Sequence, residues 1–366
     1  MIFILYIPIV IYSILWILLI IGCFKQNKNR NKQSYGELSI TMIIPFRNEL
    51  LRWENTLRCL QNLDDSAVSL TVLFVNDHSD DGSLEFLKKW TVRFKKSNMI
   101  FDLPRTLVGK KAAIDYGVKK ASTPWIFTLD ADSYIAPNFL NDLKSNMQIG
   151  KKMYLFPVNE SKGGIFLSSI ESSILSSITY SCLGFNTPLL ANGAGVMYQR
   201  ELFLELDPYK SNLKYASGDD LFLLSKVIEF DRTLISGFNQ KELTVYTTPP
   251  KSYKEMIFRA VRWASKMRKV NNKYSFFVGV NVVLCNIMLI PIIIFHIKHS
   301  FIISLLVLLF GKFVLDVLLL SSNKTFSFTY SSITHLTLTY FFYPFHLLNV
   351  ITCSIFKTAN WKDRPI

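Results

Sequence analysis

The chain lacks the marks of several protein classes. It has only five cysteines, scattered without metal-ligand spacing, which argues against a disulfide framework and for a reducing compartment. We find no internal repeat and no low-complexity tract. Acidic residues are few, 27 against 41 Lys and Arg, for a net charge of +14. Because the basic excess lies beside apolar segments, anionic lipid head groups are expected as partners, and nucleic acid is not.

Charge is absent altogether from residues 2–24. Roughly 20 apolar residues suffice to cross a bilayer, so residues 1–24 are predicted to form a transmembrane helix. No basic residue precedes this run and no small-x-small site follows it, so a cleaved signal peptide is not expected. Residues 25–37 read as a basic linker. The positive-inside tendency then predicts a cytoplasmic central region on an integral protein of the cell membrane.

A second membrane-associated region is predicted after Pro249-Pro250. Residues 251–273 predict a basic amphipathic helix lying in the membrane interface, and residues 275–356 a membrane region. Within that region, 275–295 and 301–320 read as spans. The second is interrupted by Lys312 and Asp316, four residues apart, which form either a structural ion pair or a functional site at membrane depth.

The last apolar stretch, residues 330–356, contains Pro344 and leads to a basic tail, 357–366. If this stretch spanned the membrane, the tail would lie outside, although its Lys and Arg favour the cytoplasm. A re-entrant or interfacial element around Pro344 is therefore expected.

Between these apolar ends, residues 38–250 alternate short apolar runs with amphipathic helices. This pattern predicts an α/β domain with a mostly parallel sheet, whose ligands gather at the carboxyl edge. Residues 165–181 predict a Ser-rich helix that faces either the membrane or the acceptor cleft.

The most informative stretch is Asp130-Ala131-Asp132, directly after the strand-like run 125–129. Two carboxylates at the end of a buried strand suit Mg²⁺ or Mn²⁺, and Mg²⁺ usually completes its shell with substrate phosphates. By itself an Asp-x-Asp also fits a turn or helix cap. Its meaning depends on the motifs around it.

Four other motifs accompany it in chain order. They are IIPFRNE at 43–49, FVNDHSDDGS at 74–83, GKKAAI at 109–114 and SGDDLFL at 217–223. Together with Asp130-Ala131-Asp132 they resemble the family-two glycosyltransferases, inverting enzymes with the Rossmann-like GT-A fold. The likeness covers about 38–270 and is greatest to the membrane-anchored branch of polysaccharide synthases and ceramide glucosyltransferase-like enzymes.

The resemblance implies a nucleotide-sugar site, most often for a UDP-sugar. Asp77 would bind the base, and Asn76 departs from the Asp usual before it. Pro45 and Glu49 would lie at the nucleotide edge, and Lys110 near the phosphates. Asp132 would bind the divalent metal directly, while Asp130 would reach the metal or the ribose and donor sugar. Each position also has a plain structural reading, such as a strand-end turn or a solvated lysine.

The resemblance also implies an acceptor side. Asp220 would be the general base that removes the proton of the acceptor hydroxyl, next to Asp219. Arg262 and Trp263 match the membrane branch's Gln-x-x-Arg-Trp motif, with Arg toward the diphosphate and Trp toward the acceptor. Arg259 replaces the Gln, which argues against processive polymerisation. A basic interface helix with a Trp anchor is the alternative.

These observations predict a nonprocessive glycosyltransferase that acts on a lipid or lipid-linked acceptor at the cytoplasmic face. The alternatives are a processive polysaccharide synthase and a membrane scaffold that retains an inactive transferase domain. Product length separates the first two, and metal-dependent turnover of UDP-sugars separates both from the third.

Overall fold

The computed structural model describes residues 3–28, 36–210, 218–269, 273–326, 330–356, 360–361 and 364–365. Parts of several predicted features lie outside these ranges. They include residues 1–2 of the first transmembrane helix, residues 29–35 of the basic linker, Ser217 of the acidic motif, residues 270–272 of the interface helix, residues 327–329 of the membrane region, and most of the tail 357–366.

Twelve short strands are described. They are β1 (Ser39–Phe46), β2 (Ser69–Asn76), β3 (Ser97–Asp102), β4 (Trp125–Thr128), β5 (Ser133–Tyr134), β6 (Met153–Leu155), β7 (Val158–Glu160), β8 (Val196–Gln199), β9 (Ile235–Gly237), β10 (Val245–Thr247), β11 (Asn360–Trp361) and β12 (Arg364–Pro365).

Twelve α-helices accompany them in the described ranges. They are α1 (Phe3–Lys28), α2 (Trp53–Asn62), α3 (Ser83–Thr91), α4 (Lys110–Lys120), α5 (Phe139–Asn146), α6 (Phe166–Leu183), α7 (Arg200–Leu206), α8 (Asp219–Asp231), α9 (Tyr253–Lys269), α10 (Lys273–Lys298), α11 (Ile302–Ser322) and α12 (Tyr330–Phe356).

The central sheet has seven strands in the order β3-β2-β1-β4-β8-β6-β9. Strands β1 to β4 run parallel, whereas β8 is antiparallel to both β4 and β6. Strands β1, β2 and β4 are almost continuously buried, as expected for strands covered on both faces, whereas the edge strand β3 is partly exposed. The predicted α/β fold with a mostly parallel sheet is therefore present, and β1, β2 and β4 end at one common edge.

A second, three-stranded sheet with the order β5-β10-β7 lies beside the end of β4. Strand β10 pairs antiparallel with β5 and parallel with β7. Just after β10, the Thr248 hydroxyl donates a 3.0 Å hydrogen bond to the backbone oxygen of Asp132. This small sheet therefore supports the segment that carries the two aspartates.

Four helices in the described chain are long and apolar enough to cross a membrane. They are α1, α10, α11 and α12. Their packing buries Tyr12, Trp16, Cys285 and Leu319, while their outer faces expose large apolar side chains such as Ile303. The predicted pair on α11 is formed, with 2.8 Å between Lys312 Nζ and the Asp316 carboxylate.

The re-entrant form of the element predicted around Pro344 is wrong, and the interfacial form stays a prediction. Helix α12 continues through this proline without interruption, as helices at membrane depth can when neighbours satisfy the freed backbone group. It also lies along the α/β domain: the His335 ring stacks on Phe166 with centroids 4.3 Å apart, and Val350 packs with Ile257 of α9. The last apolar segment is thus one helix in contact with both α6 and α9.

The Ser-rich segment was predicted to face either the membrane or the acceptor cleft. In the structure it forms α6, and its two faces contact different parts of the molecule. Ile170, Ile178 and Cys182 pack against the apolar helices. At Gly184, just after α6, a Cβ would lie only 1.9 Å from the backbone oxygen of Gly22 on α1, so only glycine permits this approach. The opposite face of α6 looks toward the edge of the sheet.

Candidate active site

A cleft of about 460 Å³ lies at the carboxyl edge of the parallel strands. We call its wall of strand ends the sheet side, and its wall from α6 and α9 the helix side. All ten residues singled out from the sequence line this cleft: Pro45, Glu49, Asp77, Lys110, Asp130, Asp132, Asp219, Asp220, Arg262 and Trp263. Residues spread over more than 200 positions of the chain therefore meet in one place.

The sheet side begins with the ends of β1 and β2. Asp77 is buried and accepts a 3.1 Å hydrogen bond at Oδ1 from the backbone N–H of Gly109, just before α4. The Arg47 guanidinium donates to the backbone oxygens of Asp77 and His78, both at 3.0 Å. These bonds fix the two strand ends against each other, so the base-side residue predicted from sequence is held rigidly.

Asn76, which departs from the family pattern, is occupied within the fold. Its amide Nδ2 donates at 2.8 Å to Asp102 on β3, and its Oδ1 accepts at 3.0 Å from the backbone N–H of Ser79. The Asp102 carboxylate, at the end of the neighbouring strand β3, therefore lies beside the end of β2 although position 76 carries no charge.

Asp130 and Asp132 follow β4 and keep about a third of their side chains exposed, 33% and 28%. Arg52 lies 4.0 Å from the Asp132 carboxylate and 3.8 Å from that of Glu49. Their oxygens are thus open to the cleft, with a basic side chain at the rim.

Lys110 links the sheet side to the start of α8. Its Nζ lies 2.6 Å from Asp130 Oδ1 and 3.1 Å from Asp219 Oδ2. Burial opposes the charged form, but the two carboxylates outweigh it and raise the pKa of Lys110 above its ordinary value. Lys110 is therefore a permanent cation among the aspartates.

The acidic doublet occupies the first turn of α8, where the helix dipole favours negative charge. Gly218 precedes it with φ +97°, a left-handed conformation that suits glycine. Asp220 accepts at Oδ2 from the backbone N–H of Gly193 (3.2 Å) and at Oδ1 from that of Leu221 (2.9 Å). A Cβ at Gly193 would lie 2.4 Å from Asp219 Oδ2, so the chain passes unusually close to the doublet.

The helix side supplies Arg262 and Trp263 from α9. Burial lowers the pKa of Arg262 and neighbouring Arg259 acts in the same direction, whereas Asp130 and Asp132 oppose the shift. Within the described part of the chain, Arg262 Nε is buried and has no hydrogen-bond partner. A buried, incompletely satisfied guanidinium on a cleft wall is suited to an anionic ligand.

Several cleft residues were missed by sequence reasoning. Four lie on α6 as a stripe along one face: Ser172, Leu175, Ser176 and Thr179. Their three- and four-residue spacing was a readable signal for one helical face. No sequence pattern marked Arg52 or Thr248, because only the folded chain brings these two residues beside Asp132.

In the described residues, no group of three or more His, Cys, Asp or Glu could enclose a metal ion. The open pair Asp130 and Asp132 nevertheless fits a hard cation such as Mg²⁺ or Mn²⁺. Such ions often bind through one or two carboxylates and take their remaining ligands from substrate phosphates and water.

The arrangement of the cleft and sheet is that of the GT-A glycosyltransferase fold. A solved structure that shares it is a mannosyltransferase from Pyrobaculum calidifontis in complex with GDP-Man and Mn²⁺. The TM-score is 0.57 at 13% identity, and the match covers 96% of this chain and 99% of that one. This likeness shows the fold.

The sequence comparisons give the family of the domain. Residues 41–206 match the model of glycosyl transferase family 2. A probable glycosyltransferase of Sulfolobus acidocaldarius is 24% identical over 256 residues, which cover 66% of this chain and 52% of that protein. The probable glycosyltransferase YdaM of Bacillus subtilis is 25% identical over 138 residues, covering 35% and 33%.

The chain thus spans about half and a third of the lengths of these two relatives. It contains a family 2 glycosyltransferase domain, and the predictions of that domain and of its GT-A fold are confirmed.

Proposed function

We propose that this protein is an inverting, metal-dependent glycosyltransferase. It would move one sugar from a nucleotide-sugar donor, a UDP-sugar, to a lipid or lipid-linked glycan acceptor at the cytoplasmic face of the cell membrane. The observation that carries the proposal is the meeting of all ten predicted residues in one cleft, whose helix side packs against membrane-type helices.

The donor would bind on the sheet side. Asp77 would accept from the base, and Asp132 with Asp130 would hold Mg²⁺ or Mn²⁺ against the diphosphate. The mannosyltransferase of the same fold was solved with GDP-Man and Mn²⁺, which supports this pairing. When bound, such a cation supplies Lewis-acid stabilisation of the charge on the leaving nucleoside diphosphate. Arg262, buried and incompletely hydrogen-bonded, would add a second positive charge there.

The chemical step would use Asp220 as the general base. Its carboxylate takes the proton of the acceptor hydroxyl as that oxygen forms a bond to the anomeric carbon. The bond from that carbon to the diphosphate oxygen breaks on the opposite face, so the anomeric configuration inverts. Asp219 is bound to Lys110 at 3.1 Å and would position the doublet instead of receiving the proton.

A lipid acceptor is supported by the neighbours of the helix side. Helix α6 lines the cleft with one face and packs on α1 and α11 with the other. Helix α9 lines it with Arg262 and packs on α12 through Ile257 and Val261. An acceptor whose tail stays in the bilayer could thus present its hydroxyl between these two helices.

The cytoplasmic side is supported by the positions of charge. Lys25 and Lys28 end α1 on the side of the α/β domain, and the Lys25 ammonium lies 4.5 Å from the Phe185 ring centroid. Basic residues at this end of the span are those that the positive-inside tendency retains in the cytoplasm.

A donor and acceptor screen tests the proposal. The purified protein would be incubated with Mn²⁺ or Mg²⁺, UDP-sugars or GDP-mannose, and diacylglycerol, ceramide or polyprenyl phosphate in mixed micelles. Mass spectrometry should find a glycolipid with one added sugar. A ladder of longer products would indicate a processive synthase, and no donor turnover across the panel would contradict the proposal.

A further inference from the structure

Glu160, at the end of β7, is a buried carboxylate outside the predicted site. Its side chain is 2% exposed. The Ser168 hydroxyl of α6 donates to it at 2.6 Å, and the Arg259 guanidinium of α9 binds both Glu160 and Ser168. One buried ion pair therefore joins the small sheet to both helices that form the helix side of the cleft.

Arg259 also supports an aromatic ring of the cleft. Its guanidinium carbon lies 5.6 Å from the centroid of the Trp263 ring, one turn further along α9. Guanidinium groups stack on indole faces, and desolvation strengthens the attraction. Trp263 faces the cleft, so a side chain tied to Glu160 on one side holds a cleft-lining ring on the other.

The pair cannot easily separate. A lone carboxylate in a buried position is strongly unfavourable, and Glu160 Oε2 has no hydrogen-bond partner among the described residues. The charge of Arg259 is thus the main compensation for that of Glu160. Release of Arg259 would leave the carboxylate uncompensated, so the orientation of α9 and of the Trp263 ring is fixed with it.

We propose that Glu160 and Arg259 form a positioning pair that holds the Trp263 ring at the acceptor end of the cleft. As regards the acceptor, this rests on the proposed function. Neither residue is a catalytic residue. Both act through Trp263, and Arg259, committed to Glu160, is a structural support in the place where the resemblance expects a glutamine.

Two variants distinguish a change in the position of the Trp263 ring from a loss of folding. Arg259→Lys keeps the charge that Glu160 needs but loses the flat group over Trp263. The double variant Glu160→Gln with Arg259→Gln removes both charges, so it leaves no unpaired buried ion. Both should melt close to the parent protein, whereas Arg259→Gln alone should melt at a clearly lower temperature because it strands the Glu160 carboxylate.

Two measurements are then made on the folded variants. With the acceptor found in the lipid screen, KM for the acceptor should rise on the order of tenfold, as expected when a partly desolvated guanidinium no longer stacks on the Trp263 ring. The affinity for UDP with Mn²⁺ should stay within about twofold, because the sheet side is unchanged. In a Trp263→Ala background, Arg259→Lys should have no further effect on KM.

The second measurement needs no substrate. Acrylamide quenching of the Trp263 fluorescence, obtained as the difference from a Trp263→Phe variant, should increase in both folded variants. Unchanged quenching, or an unchanged acceptor KM in a folded variant, overturns the positioning role. If the parent transfers sugar to no lipid, the proposed function fails separately and the quenching result still decides the pair.

Discussion

The two sides of the cleft are built in different ways. On the sheet side, the reactive residues follow strands β1, β2 and β4, whose register brings their carboxyl ends to one edge. On the helix side, they project from α6 and α9, whose positions depend on packing against α1, α11 and α12. The first side is fixed by local strand geometry, and the second by contacts between distant parts of the chain.

This difference suggests a division of labour. The sheet side carries open carboxylates suited to a metal-bound diphosphate, a group that UDP-sugars and GDP-sugars share. The helix side carries hydroxyls, apolar groups and an indole beside membrane-type helices, which suits a lipid acceptor. Variants on the sheet side should therefore alter donor affinity. Variants on the helix side should alter acceptor use, except at Arg262, which would face the diphosphate.

The largest effect is expected at Asp220, where the two sides meet. Asp220→Asn removes the proton acceptor, so kcat for transfer should fall by roughly a thousandfold, as for loss of a general base. UDP affinity should remain near that of the parent. Single-turnover transfer measures the first and calorimetry the second. The control is Asp115→Asn, since Asp115 pairs with Lys119 on α4 and does not line the cleft. Near-normal transfer by Asp220→Asn would exclude its role as base.

Lys110→Met should weaken donor binding on the sheet side. It removes charged contacts to Asp130 and Asp219, so donor affinity should fall roughly tenfold to a hundredfold. Lys119→Met is a matched control, because Lys119 lies on the same helix and pairs with Asp115 at 2.6 Å away from the cleft. Equal losses in the two variants would mean that the effect is not specific to the cleft.

Gly193→Ala should disturb the doublet by crowding. The added Cβ would meet Asp219 Oδ2 at 2.4 Å and Lys110 Nζ at 2.9 Å. Transfer should fall by about tenfold, as expected when a tightly packed site must shift. Gly36→Ala, which meets no atom within 4 Å, should be neutral. An unaffected Gly193→Ala would show that Asp219 and Lys110 can move without loss.

The smallest expected effect is that of pH on the stabilisation by Lys110. The pKa of Lys110 is raised in the folded protein, so its stabilising contribution is fully present below the unfolded pKa and is lost only as pH rises through the raised value. From about pH 6 to 9, below the ordinary lysine pKa of about 10.4, the Tm difference between parent and Lys110→Met should be constant. A difference that shrinks within this range would contradict the assigned charge state.

The residues of the sheet side were predicted through the family resemblance, and strand geometry agrees with that prediction. Polar residues directly after parallel strands meet at the same edge of the sheet, which is where Asp77 and Asp132 lie. Strand β3 and the antiparallel β8 were not foreseen, because short strands in polar or mixed sequence lack a clear period.

The helix side was only partly foreseen. Arg262 and Trp263 were found through the family resemblance, and the hydroxyl stripe of α6 was visible as helical spacing. Glu160 carried no signal, because its partner Arg259 lies 99 residues away. The re-entrant form predicted around Pro344 failed because a proline removes only one helical hydrogen bond, and the helix continues where neighbours support it.

The separation of donor site and base is tested most directly by a titration of UDP, with and without Mn²⁺, into the parent protein, Asp132→Asn and Asp220→Asn. We expect metal-dependent binding in the parent and in Asp220→Asn, and loss of binding in Asp132→Asn. Equal loss of binding in both variants, or metal-independent binding in the parent, would contradict the separation of a metal-bearing donor site from the base.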